Sequence, residues 1–259
     1  MENILFDIKN SVGIIRLNRP KVYNSFNRAM ALEMQQCLDQ CAAGAGVRAI
    51  YITGEGKAFC AGQDLQEIAD PANSPSFKTI LGEHFNPIIR RLRSIEKPIV
   101  CGVNGVAAGA GANIALACDI TVAAESASFM QAFSKIGLIP DSGGTFTLPR
   151  LIGLQRAAAL MMLGDKVSAK EAETMGMIYK SLPDEGFAEA SFAIAQNLAA
   201  MPTKGLGLTK RALNLSMANT LEEQLSVEDS LQSAAGDTYD YREGVAAFLE
   251  KRKPVFRGE

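Results

Sequence analysis

The stretch KPIVCGVNGVAAGAGANIALACDI, residues 97–120, decides how this chain folds. Its first half, PIVCGV, is a short apolar run of the kind that forms a strand covered on both faces. Gly105 then opens a small-residue turn, and GANIALAC reads as a helix. DITVAA, starting at residue 119, is a strand again. Strands that alternate with helices pair in parallel, which predicts an α/β core.

Upstream, ILFDI and VGIIRLN flank the turn-like Lys9-Asn10-Ser11 and read as a β-hairpin. A helix is expected over 28–42, with Met30, Met34, Leu38 and Cys41 on one stripe. AIYITG is a strand closed by Gly54, and AFCAGQDLQEI is a glycine-containing loop feeding a helix. DPANSPS, residues 70–76, reads as irregular. FKTILGEHFNPIIRRL has the pattern of an amphipathic helix and carries the only histidine, His84. Downstream, Ser168 and Glu171 form a capping box and Gly176 marks a helix stop. Helices follow near 186–200, 203–218, 220–235 and 241–251. The expected division is an α/β core over 1–200 and a helical C-terminal region over 201–259.

Composition narrows the function. The 259 residues are 47% hydrophobic and 21% charged, enough to bury a large core without disulfides or metals. A formal charge of -2 and a pI near 5.7 favour neither nucleic acid nor an anionic membrane as partner. The cysteines, five in number, form no C-x-x-C pair and are expected to be reduced and buried. MENILFDIKN does not have the form of a secretory signal, and the apolar stretch at 105–118 is too short to span a bilayer, so the expected location is cytoplasmic. With one histidine, a His-based zinc site is disfavoured, and any Ser-His-Asp triad would have to use His84.

Three short stretches have the residue types for chemistry. Ala61-Gly62-Gln63-Asp64 and Gly109-Ala110-Gly111-Ala112 each place small residues where a strand gives way to a helix. Free N–H groups there attract negative charge, and two converging on one oxygen would make an oxyanion hole. Tight helix–strand packing explains either loop equally well. GAGANI lacks the third glycine of a dinucleotide loop, and the chain has no G-x-x-x-x-G-K-[ST] phosphate loop. Asp141, before Ser142-Gly143-Gly144, is either a turn residue or a catalytic acid/base.

Taken together, LNRPKVYNSFN (17–27), GKAFCAGQDL (56–65), KPIVCGVNGVAAGAGANIALACDI (97–120), FMQAFSKIGLIPDSGGTFTLPRLIG (129–153) and YREGVAAFLEKRKPVF (241–256) resemble, in order, the crotonase (enoyl-CoA hydratase/isomerase) superfamily. The resemblance implies a twisted ββα-repeat core, a helical C-terminal part, and assembly as trimers or dimers of trimers. It implies an acyl-CoA thioester substrate, with coenzyme A as part of that substrate and no separate cofactor or metal. The thioester enolate would be held by the backbone N–H groups of Gln63 and Ala110. Ala61, Gln63, Asp64 and Leu65 would contact coenzyme A, with Lys21 and Val22 nearby. His84, Phe85, Ile88, Asn113 and Phe133 would border the acyl chamber. The C-terminal YREGVAAFLEKR segment would cover the site or contact a neighbouring subunit.

The departures from the family pattern bear on the reaction. The two glutamates of family hydratases are replaced here by Asn113 and Phe133, whereas Asp141 stands where family dienoyl-CoA isomerases place their catalytic aspartate. The resemblance therefore implies proton transfer between two carbons rather than water addition. Within the superfamily, FSKIGLIPDSGGT, VNGVAAGAGAN and DYREGVAAFL are most similar to isomerases of ring-epoxidised arylacetyl-CoA thioesters. A Δ3,Δ2- or dienoyl-CoA isomerase, an aspartate-nucleophile hydrolase and a non-catalytic acyl-CoA-binding subunit are the alternatives.

Overall fold

The structure, a computed structural model, describes residues 1–69 and 74–259. The hairpin forms from β1 (Ile4–Lys9) and β2 (Val12–Leu17), paired antiparallel. Asn10 and Ser11 both take positive φ, 53° and 59°, as a two-residue hairpin turn matching the strand twist requires. Helix α1 (Arg28–Ala43) starts at Asn27, whose side chain accepts from the Met30 N–H. Its stripe of Met30, Met34, Leu38 and Cys41 is fully buried.

β3 (Ala49–Gly54) then pairs in parallel with β2. β4 (Ala58–Cys60) follows, and Leu65–Ile68 form a 3-10 turn. Residues 70–73 of the DPANSPS stretch lie outside the described residues. Ser76 caps α2 (Phe77–Thr79), which widens into a π-helical turn over Ile80–Phe85 and ends as α3 (Asn86–Ser94). Next come β5 (Ile99–Val103), β6 (Val106–Ala108), α4 (Ala110–Leu116), β7 (Ile120–Ala124) and β8 (Ser128–Met130). The chain continues through α5 (Gly144–Ile152), α6 (Leu154–Leu163), β9 (Lys166–Ser168), α7 (Ala169–Thr174) and β10 (Lys180–Leu182). It ends in α8 (Phe187–Ala199), α9 (Thr203–Ser216), α10 (Leu221–Gly236) and α11 (Tyr239–Glu250).

Two sheets result. One has the order β1-β2-β3-β5-β7-β10, the other β4-β6-β8-β9. Each of β3, β5 and β7 is followed by a short strand of the other sheet, so the chain deals its strands alternately to the two sheets as it coils. In the first sheet every pairing beyond the hairpin is parallel. Helix α8 covers one face, with Ala195 and Ala199 packed against Val12, Ala49, Tyr51 and Val100. Tyr51 Oη lies 2.7 Å from Ser191 Oγ in that layer. The larger core fills the other face, which is why all five residues of β5 are buried.

The main departure from expectation is the second sheet. Gly105 does not open a turn straight into a helix: β6 intervenes, and α4 ends at Leu116 rather than continuing to Cys118. The strands β4, β6, β8 and β9 are three residues each, too short to show a period of two. The Ser168–Glu171 capping box is present, and Gly176 takes φ 79° just past α7. No helix among the described residues is long and apolar enough to cross a membrane.

Candidate active site

Two glycines shape the site. Gly62 sits at φ 94° and Gly109 at φ 54°, ψ -127°, regions that a side chain disfavours. The Phe26 N–H donates to Gly62 O (2.7 Å) and the Asp64 N–H donates to Phe26 O (2.8 Å), pinning the peptides on both sides of Gln63. Gly109 N–H donates to Met130 O at 2.9 Å, fixing the start of α4. Ala110 is the first residue of that helix, so its N–H has no intrahelical acceptor. Among the described residues, neither the Gln63 N–H nor the Ala110 N–H donates a backbone hydrogen bond. A Cβ on Gly62 would lie 3.0 Å from Ala108 O and 3.4 Å from Ala110 N, so the two turns touch. The glycines thus let two free donors stand side by side.

Gln63 and Ala110 both line a cavity of about 430 Å³. Its walls are mainly apolar and include Leu65, Ile68, Ile80, Phe85, Met130 and Phe133. The widened π turn brings Ile80 and Phe85 to the same wall. Among the described lining residues, Asp141 is the only carboxylate and Lys135 the only cation. No group of three or more His, Cys, Asp or Glu side chains among the described residues has the geometry to hold a metal ion.

Asp141 is half-buried, and its Oδ1 accepts from Ser142 Oγ at 2.8 Å. Burial pushes its carboxyl above the usual aspartate range, and the Ser142 hydrogen bond opposes that only in part. Ser142 (φ 50°) and Gly143 (φ 73°) are both left-handed and turn the chain from the carboxylate into α5. The Asp141 carbonyl accepts from Gly144 N–H and from Asn113 Nδ2, each at 2.8 Å. Asn113 Oδ1 in turn accepts from Gln131 Nε2 at 2.8 Å.

The remaining expected site residues divide between the cavity and its surroundings. Val22, Ala61, Leu65, Phe85 and Phe133 line it, whereas Lys21, Asp64, His84, Ile88 and Asn113 do not. Asp64 is buried, pairs with Arg19 at 2.9 Å and accepts from the Gln66 N–H. Its side chain holds the loop. Lys21 is exposed on the turn Pro20–Val22. His84 and Ile88 are buried outside the cavity lining, with His84 only 1% exposed. Both His84 ring nitrogens lack a hydrogen-bond partner among the described residues, and burial lowers its pKa below the ordinary histidine range. Asn113 is buried and faces the Asp141 main chain instead of the chamber.

Sequence reasoning missed Lys135, Ser142 and Gln131. Lys135 and Ser142 lie inside the FSKIGLIPDSGG motif, where spacing does not separate a cavity-lining side chain from a turn residue. No local signal marks Gln131, whose importance comes from a contact made 18 positions away in sequence.

The sequence profile of the enoyl-CoA hydratase/isomerase family matches residues 7–259. The chain is 47% identical to the 1,2-epoxyphenylacetyl-CoA isomerase of Escherichia coli (strain K12), over all of both chains. It is 44% identical to a Rhodobacter capsulatus protein named "Probable enoyl-CoA hydratase", over 98% of each. The crystal structure of an enoyl-CoA hydratase from Bacillus anthracis superposes with a TM-score of 0.92 at 34% identity, covering 99% of this chain and 100% of that one. From its first strand to its last helix, this chain belongs to the enoyl-CoA hydratase/isomerase, or crotonase, family.

Proposed function

We propose that this protein is an acyl-CoA isomerase in which Asp141 carries a proton between two carbons of a bound thioester. The observation that carries the reading is Asp141, the one carboxylate among the described lining residues of a cavity that also presents Gln63 and Ala110, both with free N–H groups. The Asp141 carboxylate removes a proton α to the thioester, and the negative charge spreads over a dienolate whose oxygen the two N–H groups hold. The protonated carboxyl then returns that proton to the γ carbon. The double bond has moved into conjugation, no atom is gained or lost, and the base is regenerated. Each donor is worth roughly 10²–10³ in rate, and a positioned base adds about 10²–10⁴. The raised pKa of Asp141 suits a group that must both accept and return a proton.

Hydration requires a group to activate water, and the positions that supply it in family hydratases hold Asn113 and Phe133. Phe133 adds apolar wall where a carboxylate would bind water. Val22, Ala61, Gln63 and Leu65 are assigned to the coenzyme A side of the cavity, with Lys21 at its edge and Asp64 bracing the loop through Arg19.

The acyl group favoured is that of 1,2-epoxyphenylacetyl-CoA, supported by the full-length 47% identity to the E. coli isomerase. The oxepin form of that substrate loses a proton α to the thioester and gains one on the ring, the same shift that a 3-enoyl-CoA undergoes. The homotrimer, or dimer of trimers, is proposed from the family resemblance; exposed Phe146, Leu154, Met162 and Phe248 on α5, α6 and α11 are apolar surface that an assembly would cover. The test presents the enzyme with 1,2-epoxyphenylacetyl-CoA, a 3-enoyl-CoA and a 2-enoyl-CoA in parallel. The reading predicts isomerisation of the first two, with the larger kcat/KM for the epoxide, and no hydration of the third. Hydration faster than isomerisation would overturn it.

A further inference from the structure

Asn113 stands where family hydratases keep a glutamate, yet its side chain does not reach the cavity. It is 1% exposed, and its Nδ2 donates to the main-chain carbonyl of Asp141 at 2.8 Å. Its orientation is fixed from behind, because Gln131 Nε2 donates to its Oδ1 at 2.8 Å and Gln131 is itself buried. The Asp141 carbonyl can only accept, so the Asn113 amide must turn Nδ2 toward it, which leaves Oδ1 to accept from Gln131 Nε2. The space is closed as well: a Cβ on Gly144 would lie 2.4 Å from Asn113 Nδ2.

The position of Asn113 in the fold gives this contact its consequence. Asn113 lies in α4, three residues beyond Ala110, and its own N–H donates to Gly109 O at 3.1 Å. One side chain therefore ties the turn that presents an oxyanion donor to the backbone that presents the base. Gln131 joins the same frame, following β8, whose Met130 carbonyl accepts the Gly109 N–H.

We infer that Asn113, held by Gln131, is a positioning residue that sets the separation between Asp141 and the Gln63/Ala110 donor pair. This rests on the isomerase reading for its catalytic consequence, though not for its structural one. The replacement of a hydratase glutamate by asparagine then has two effects: it removes a group that would activate water, and it converts the site into a brace for the remaining carboxylate. A displacement of about 1 Å at a reacting group costs up to ~10²-fold in rate. Loss of the brace therefore acts on kcat, while the apolar walls that bind the acyl group stay in place.

The test compares wild type with Asn113→Leu, which keeps the branched shape and removes the donor, Gln131→Met, and Gly144→Ala, whose Cβ would crowd the amide. Kinetics of 3-enoyl-CoA isomerisation are read beside hydrogen–deuterium exchange of the segment 138–147. Expected are a kcat lower by about 10- to 100-fold with KM within twofold, and faster exchange confined to that segment, in Asn113→Leu and Gly144→Ala. Gln131→Met should give a smaller change of the same kind. Unchanged exchange at 138–147 in Asn113→Leu would overturn the inference whatever the activity. So would exchange that rises across the whole chain, or a loss shared equally between kcat and KM. If wild type does not isomerise, or Asp141→Asn still does, the isomerase reading fails, and the exchange result still decides whether Asn113 holds the loop.

Discussion

At Asp141 two influences oppose each other. Burial raises the carboxyl pKa and the Ser142 hydroxyl lowers it, with burial the larger. In the proposed mechanism the active form is the carboxylate, so activity should be lost as pH falls through the raised pKa. The acidic limb of the kcat/KM profile should therefore lie above the range of an exposed aspartate. Ser142→Ala removes the opposing hydrogen bond and should move that limb further toward neutral pH. A limb that stays put, or moves to lower pH, would contradict this cause. The proposed acid/base role of Asp141 was legible only through the family resemblance, because an aspartate in Asp-Ser-Gly-Gly is as good a turn residue. Asn113 shows the reverse case. Its sequence position placed it at the chamber, but its side chain turns back onto the main chain, a direction that spacing does not encode.

The elements that carry the site are two glycine turns and one widened helix. Ala on Gly109 would meet nothing closer than the Phe133 ring at 3.7 Å, so its penalty lies in the backbone, which sits at φ 54°, ψ -127°. Relaxing that strain, worth about 1–3 kcal/mol, would rotate the Ala110 N–H away from the cavity. Gly109→Ala should lower kcat by about 10²-fold and the thermal midpoint by a few degrees. A variant within twofold of wild-type kcat would show that the Ala110 N–H does not hold the oxyanion. The hairpin, α1, β3, β5 and the C-terminal helices were legible because each is long enough to show its period or its turn chemistry. The second sheet was not. Three residues cannot display alternation, and its strands are held by pairing with partners tens of residues away. The π turn was hidden for a related reason: over Ile80–Phe85 it differs from an α-helix by its hydrogen-bond register, not by its composition.

In the whole molecule, all five cysteines are buried as free thiols. Burial pushes Cys37, Cys41 and Cys60 up to about 12, leaving almost no thiolate near neutral pH. The native protein should be inert to Ellman's reagent over minutes and release five equivalents in denaturant; rapid reaction of the native protein would contradict the packing around α1 and β4. The C-terminal tail closes the fold: Asp240 accepts from the Arg257 and Gly258 N–H groups, and Arg48 donates to Phe256 O and Met201 O. The central claim concerns one carboxylate in this framework, and the most direct measurement is the conversion of a 3-enoyl-CoA to the 2-enoyl-CoA by wild type and by Asp141→Asn. The account predicts turnover in wild type and a loss of at least about 10²-fold in kcat in the variant, with KM little changed. Equal turnover in the two proteins would contradict it.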